Sequence, residues 1–268
     1  MSRERAPYDR EHITDTYSKQ DPILFMRNNW GKLQDDGSWI MERSLILRTN
    51  SPIVKDGKFI VNIKKVIGNF NCGGQELITL KGGPKEVGGH FWCGTNNLIS
   101  LEYGPERVGG DYSMECNKIK DLKYVPRNIN GEFDIGENPI ETLEGGPISI
   151  KGNLILDKTN INNLIGCPEG IDELYIEDCN LKTLYGIKKC NGLQISGVNH
   201  NLSVIETAFA YNMIENGKVY KHYYTNLFKY CIDNFLEKVY DVKWPDGFLN
   251  EKRLGLINSM EVVNKFQL

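Results

Sequence analysis

Along the middle of the chain, apolar and polar positions alternate in a frame that repeats about every twenty residues. Triplets with apolar outer positions and a variable centre read FNC (70–72), FWC (91–93), YSM (112–114), FDI (133–135), LIL (154–156), LYI (174–176) and LQI (193–195), at spacings of 21, 21, 21, 21, 20 and 19 residues. Period-two alternation of this kind predicts short strands with one buried face. Seven and ten positions after each of the first six triplets begins come further apolar residues: Leu77/Leu80, Leu98/Leu101, Ile119/Leu122, Ile140/Leu143, Ile161/Leu164 and Leu181/Leu184. Just before them a polar site holds Gln75, Asn96, Asn117, Asn138, Thr159 and Cys179. A polar side chain at a strand end is placed to bond backbone groups that the sheet no longer satisfies. Each unit closes in a Gly/Pro bend, as in GGP (82–84), YGP (103–105), GGP (145–147) and GCP (166–168). Proline removes a backbone donor there and few residues remain, so the return path is expected to be extended or 3₁₀.

The unit φ-x-φ-x-x-N-x-φ-x-x-φ resembles the leucine-rich repeat, and residues 171–184, IDELYIEDCNLKTL, fit that family's form throughout. The Gly/Pro-ending, VGG-opening version is similar to short repeats of uncharacterised tailed-phage and bacterial proteins. The resemblance spans residues 44–206 and implies a leucine-rich-repeat-like solenoid with short parallel β-strands on a concave face and non-helical convex returns. It carries no activity. LILRTNSPI (45–53) reads as a degenerate first unit, with Leu45, Leu47 and Asn50 in register.

A repeat cannot bury its own apolar face, so both ends need caps. Residues 1–43 are the expected N-terminal cap, with Asp21 as N-cap and Pro22 as first helical position. Residues 207–268 are the expected helical C-terminal segment. Tyr220, Tyr224, Leu227, Cys231, Phe235 and Val239 follow helical spacing across 218–240, WPDG (244–247) interrupts it, and 249–266 resumes it.

Composition narrows the functional classes. With 40% hydrophobic and 25% charged residues the 268-residue chain has ordinary globular proportions, while its 27 glycines crowd into the repeats. A net charge of −3 gives no general attraction to nucleic acid or anionic lipid. There is no run of 18 apolar residues, and MSRERAPYDREH lacks the apolar core of a secretory signal, so the expected location is a cytoplasm, a host's if the chain is phage-encoded. The seven cysteines are expected to be reduced thiols.

Candidate chemistry is sparse. VGGHFWCGTNN (87–97) offers His90 and Cys93 at a metal-like spacing, but the repeat sends Cys93 inward with Cys72 and Met114 and His90 to the opposite face. The Gly-Gly pairs at 73–74, 82–83, 88–89, 109–110 and 145–146 recur at repeat positions and open no helix, so they read as turns, not a phosphate loop. Cys231-Ile232-Asp233 resembles the Cys-x-Asp nucleophile of secreted bacterial ubiquitin-ligase effectors. Too little chain follows the repeats for such a domain, and Cys231 lies on an apolar stripe. With no catalytic set and no spaced metal ligands, the expectation is a non-enzymatic protein without cofactor or metal.

What remains is the outward side of the strands. Three columns run across it: Asn69, His90, Asp111, Glu132, Asn153, Glu173 and Gly192; Asn71, Trp92, Ser113, Asp134, Ile155, Tyr175 and Gln194; and Gly73, Gly94, Glu115, Gly136, Asp157, Glu177 and Ser196. Seven of these 21 positions are acidic and none is Lys or Arg. Basic residues such as Lys81, Lys85, Arg107, Lys123, Arg127 and Lys151 sit at the bends and on the convex side. Aromatic and aliphatic anchors among polar groups are how binding patches are built. The expected partner-binding residues are His90, Trp92, Asp111, Glu132, Asp134, Ile155, Glu173 and Tyr175, holding a basic segment of a protein partner; the acidic sign disfavours nucleic acid. The phage resemblance implies a host-directed or anti-defence factor. The alternative is a structural subunit or assembly factor of a larger phage particle that docks through its C-terminal helix.

Overall fold

The computed structural model describes residues 20–182, 186–187, 190–196 and 214–219. They form a parallel β-solenoid of about seven turns with very little helix. The predicted strand register holds throughout: Leu45, Phe70, Phe91, Tyr112, Phe133, Leu154, Leu174 and Leu193 are successive partners in one nine-stranded sheet. One turn after another therefore places the same repeat position directly above its predecessor. The inward residues Cys72, Cys93, Met114, Ile135, Leu156 and Ile176 are all buried. So are the paired apolar positions from Leu77/Leu80 through Ile161/Leu164, and Leu181. Aromatic rings extend this stacking through the interior, with centroids 6.0 Å apart for Phe70–Phe91, 5.0 Å for Phe91–Tyr112 and 5.9 Å for Tyr112–Phe133.

A second set of strands was not expected. Ahead of the glycine-containing corners, Ile63–Val66, Glu86–Val87 and Arg107–Val108 pair in parallel, as do Asn128–Ile129 and Ser149–Ile150. Their inward residues Val66, Val87, Val108, Ile129 and Ile150 are buried. The return path is thus partly a strand ladder; one apolar residue per turn is too short a signal for period-two alternation to register.

The corner explains its glycines. A Cβ on Gly109 would lie 2.0 Å from the Gly88 carbonyl oxygen, and one on Gly88 would lie 2.1 Å from that of Ile67. These glycines are required by close approach of successive turns, whereas Gly82 and Gly145 in the bends adopt left-handed backbone at φ 91° and 82°.

The polar positions form a buried spine. Asn117 donates from Nδ2 to the carbonyls of Cys93, Met114 and Glu115 and accepts from the Leu98 N–H at 3.0 Å. Asn96 and Asn138 repeat the pattern one turn to either side. Thr159 and Cys179, each with one donor, continue it through bonds to the Leu156 carbonyl. The first unit slips by one residue: Asn50 is exposed in left-handed backbone at φ 59°, and Ser51 takes the buried site, its N–H bonded to Gln75 Oε1. The expected register of Asn50 is therefore corrected, although Leu45 and Leu47 stand as expected.

At the N-terminal end a helix spans Pro22–Asn28, with the Asp21 carboxylate accepting from the Leu24 N–H at 2.8 Å and Phe25 and Met26 buried. The hairpin Gly31–Leu33/Trp39–Met41 joins it to the corner strands. At the other end, Ile214–Val219 forms a strand parallel to Cys190–Ser196, within the span expected to be a helical cap. The stripe Tyr220 to Val239, including Cys231, lies outside the described residues. Among the described residues no helix is long and apolar enough to cross a membrane.

Candidate functional site

The outward columns lie side by side, as the pairing Trp92–Ser113–Asp134–Ile155–Tyr175–Gln194 across adjacent strands requires. Their side chains are less exposed than a free sheet surface would leave them. His90, Trp92, Asp111, Glu132, Asp134, Glu173 and Tyr175 are all half-buried. Ile155 is only 4% exposed, so its expected role as a surface anchor is corrected: Asp134 and Tyr175 on the flanking strands enclose a mid-sheet aliphatic chain.

The first column does structural work. Ser44 Oγ accepts from Asn69 N–H, Asn69 Oδ1 from His90 N–H, His90 Nδ1 from Asp111 N–H, and Asp111 Oδ1 from Glu132 N–H, at 2.9–3.0 Å. Each side chain thereby satisfies the backbone of the next turn at the Gly-Gly corner. Glycine at the following corner leaves room for it, since a Cβ on Gly89 would lie 2.0 Å from Asn69 Oδ1 and one on Gly131 would lie 2.2 Å from Asp111 Oδ1. The His90 ring also stacks on Trp92, centroids 5.2 Å apart and planes 10° from parallel, which fixes Trp92 on the face.

Cys93 shares none of this. It is fully buried, and burial raises its thiol pKa far above the ordinary value, with the neighbouring Cys72 adding to the shift. The thiol is therefore a neutral core group that does not converge with His90. Among the described residues no group of three or more His, Cys, Asp or Glu is arranged to hold a metal.

The distinctive feature is electrostatic. The carboxyl of Asp134 is pushed up to about 7, chiefly by burial and then by Glu115, with smaller contributions from Glu132 and Asp157; the Gly136 N–H that it accepts opposes the shift. Glu115 is held by Ser113 Oγ, and Asp157 Oδ1 accepts from the Glu177 N–H. Glu132 Oε2 accepts from Asn153 Nδ2 at 2.9 Å, and Glu173 Oε2 accepts the Tyr175 hydroxyl. The acids are thus fixed by neutral donors and crowded against one another. Glu115 and Asp157, both from the third column, belong to this cluster and were not among the expected site residues; their signal was the acidic column itself.

No protein-family model, curated protein or solved structure matches the chain.

Proposed function

We propose that the protein is a non-enzymatic binding module whose sheet face takes a basic segment of a protein partner. The observation that carries this reading is the Asp134 carboxyl, raised to about 7 among Glu115, Glu132 and Asp157. Crowded, half-buried carboxylates repel one another, and a lysine or arginine placed among them relieves that repulsion while satisfying their remaining lone pairs. Trp92, fixed by His90, supplies a flat apolar surface beside the charges. The leucine-rich-repeat likeness and the phage-type bends support a host-directed or anti-defence role in a cytoplasm.

Binding should be coupled to proton release. A cationic partner favours ionised Asp134, so affinity rises as pH rises through about 7 and falls below it. Pull-down from host lysate with the wild type and with Glu132→Gln/Asp134→Asn, followed by titration of the captured partner across pH and salt, tests the reading. The variant should lose most of the affinity and its pH dependence, and salt should weaken wild-type binding. If the variant retains the partner while changes in 220–235 abolish capture, the face reading is wrong and docking through the C-terminal segment replaces it.

A further inference from the structure

The closing bends carry a feature of opposite sign. One position in each bend adopts left-handed backbone: Gly82, Tyr103, Tyr124, Gly145, Gly166 and Gly186, at φ from 68° to 94°. Four of the six are glycine, which takes this conformation without steric cost, whereas a bulky side chain there is strained. Tyr103 and Tyr124 occupy consecutive turns, and both are exposed, at 41% and 59%, so burial does not offset the strain. Strain kept at exposed aromatic residues points to a role for the rings.

Beside Tyr103 lies an open cavity of about 330 Å³, lined by Lys64, Lys81, Lys85, the Gly82–Gly83 backbone and Asp36. The ammonium groups of Lys81 and Lys85 stand 5.9 and 5.7 Å from the Tyr103 ring centroid. Asp36 reaches only Lys64, at 3.7 Å, and also accepts from Ser38. Neither Lys81 nor Lys85 has a carboxylate at ion-pair distance among the described residues. Glu86, next to Lys85 in the chain, is engaged by Lys65 and Arg107, and Glu102, next to Tyr103, by the Tyr103 hydroxyl. A cavity of this size accommodates a small molecule, and its lining sets Lys81 and Lys85, which have no carboxylate partner among the described residues although Lys85 Nζ reaches the Gly104 carbonyl at 3.5 Å, next to an aromatic face.

We propose that Lys64, Lys81 and Lys85, with Tyr103, form a binding site for a small phosphorylated ligand bearing a planar ring, of the mononucleotide class. The lysines take the phosphate and the tyrosine ring the planar group. The site stands on residues distinct from the acidic sheet face and does not depend on the role proposed for that face.

Isothermal titration at low salt with AMP, adenosine and pyrophosphate tests this on the full chain. AMP should bind the wild type more tightly than either of the others. Lys81→Ala/Lys85→Ala should weaken AMP and pyrophosphate by about tenfold or more, the loss of at least one charged hydrogen bond. Tyr103→Gly should weaken AMP but not pyrophosphate and should raise the melting temperature, because glycine relieves the backbone; this separates loss of the ring from loss of the fold. No AMP binding by the wild type, or unchanged affinity in either variant, overturns the proposal. So does binding of poly-glutamate without AMP, which would assign the lysines to an acidic polypeptide.

Discussion

Two ladders run along the solenoid with the same period, and they tolerate change differently. The inner one, Asn96–Asn117–Asn138, is buried and repeats a single residue type, each amide bonding both its own turn and the preceding one. The outer one, Asn69–His90–Asp111, is half-buried and uses three residue types for one shared task, accepting a single N–H of the next turn. Inside, carbonyls and N–H groups have no water to turn to, so the side chain with both a donor pair and an acceptor satisfies most of them, and Thr159 and Cys179, each with one donor, satisfy fewer. Outside, any acceptor of suitable reach serves and solvent covers the remainder. The outer ladder is therefore free to vary in charge and shape, and a recognition surface can be written there without unfolding the turns.

Disrupting the inner ladder should have the largest effect. Asn117→Leu leaves the Leu98 N–H and several carbonyls unpaired and should cost on the order of 3 kcal/mol or more in urea unfolding. A similar loss for Asp111→Ala would erase the distinction between the ladders. Gly109→Ala should follow at about 2–3 kcal/mol, since its Cβ meets backbone and the turns must move apart. Gly74→Ala, with left-handed φ but open space around it, should cost about 1 kcal/mol. Equal losses at the two glycines would show that conformation, and not contact between turns, sets the corner.

Smaller effects sharpen the comparison at the face and in the core. Because the Asp134 carboxyl is raised from 3.8 to about 7, the folded protein holds a proton there that the unfolded chain releases. Wild-type stability relative to Asp134→Asn should therefore fall as pH rises from about 4 to about 7 and level off above. Melting curves across that range check it, and a flat difference would remove the raised Asp134 carboxyl on which the binding proposal rests. In the core, the Tyr112 hydroxyl is buried without a partner among the described residues. Tyr112→Phe should gain about 1 kcal/mol. Asp111→Ala comes last, at about 0.5–1 kcal/mol, because the Glu132 N–H it abandons is only partly buried.

The chain's own pattern determined the period of the solenoid, the strand partners from Leu45 to Leu193, the inward column of Cys93 and the Asn spine. All of these follow from which residues recur at which interval, and a buried face tolerates no other register. Only the tertiary structure decided the rest. The corner strands, the slip of Asn50 against Ser51, the burial of Ile155 and the close approach at Gly88 and Gly109 depend on how far apart successive turns settle, a distance that no single turn encodes. The same holds for the electrostatics: an acidic column is visible in the sequence, but the raised Asp134 carboxyl and the lysine-lined cavity beside Tyr103 exist only where side chains some twenty residues apart are brought into contact.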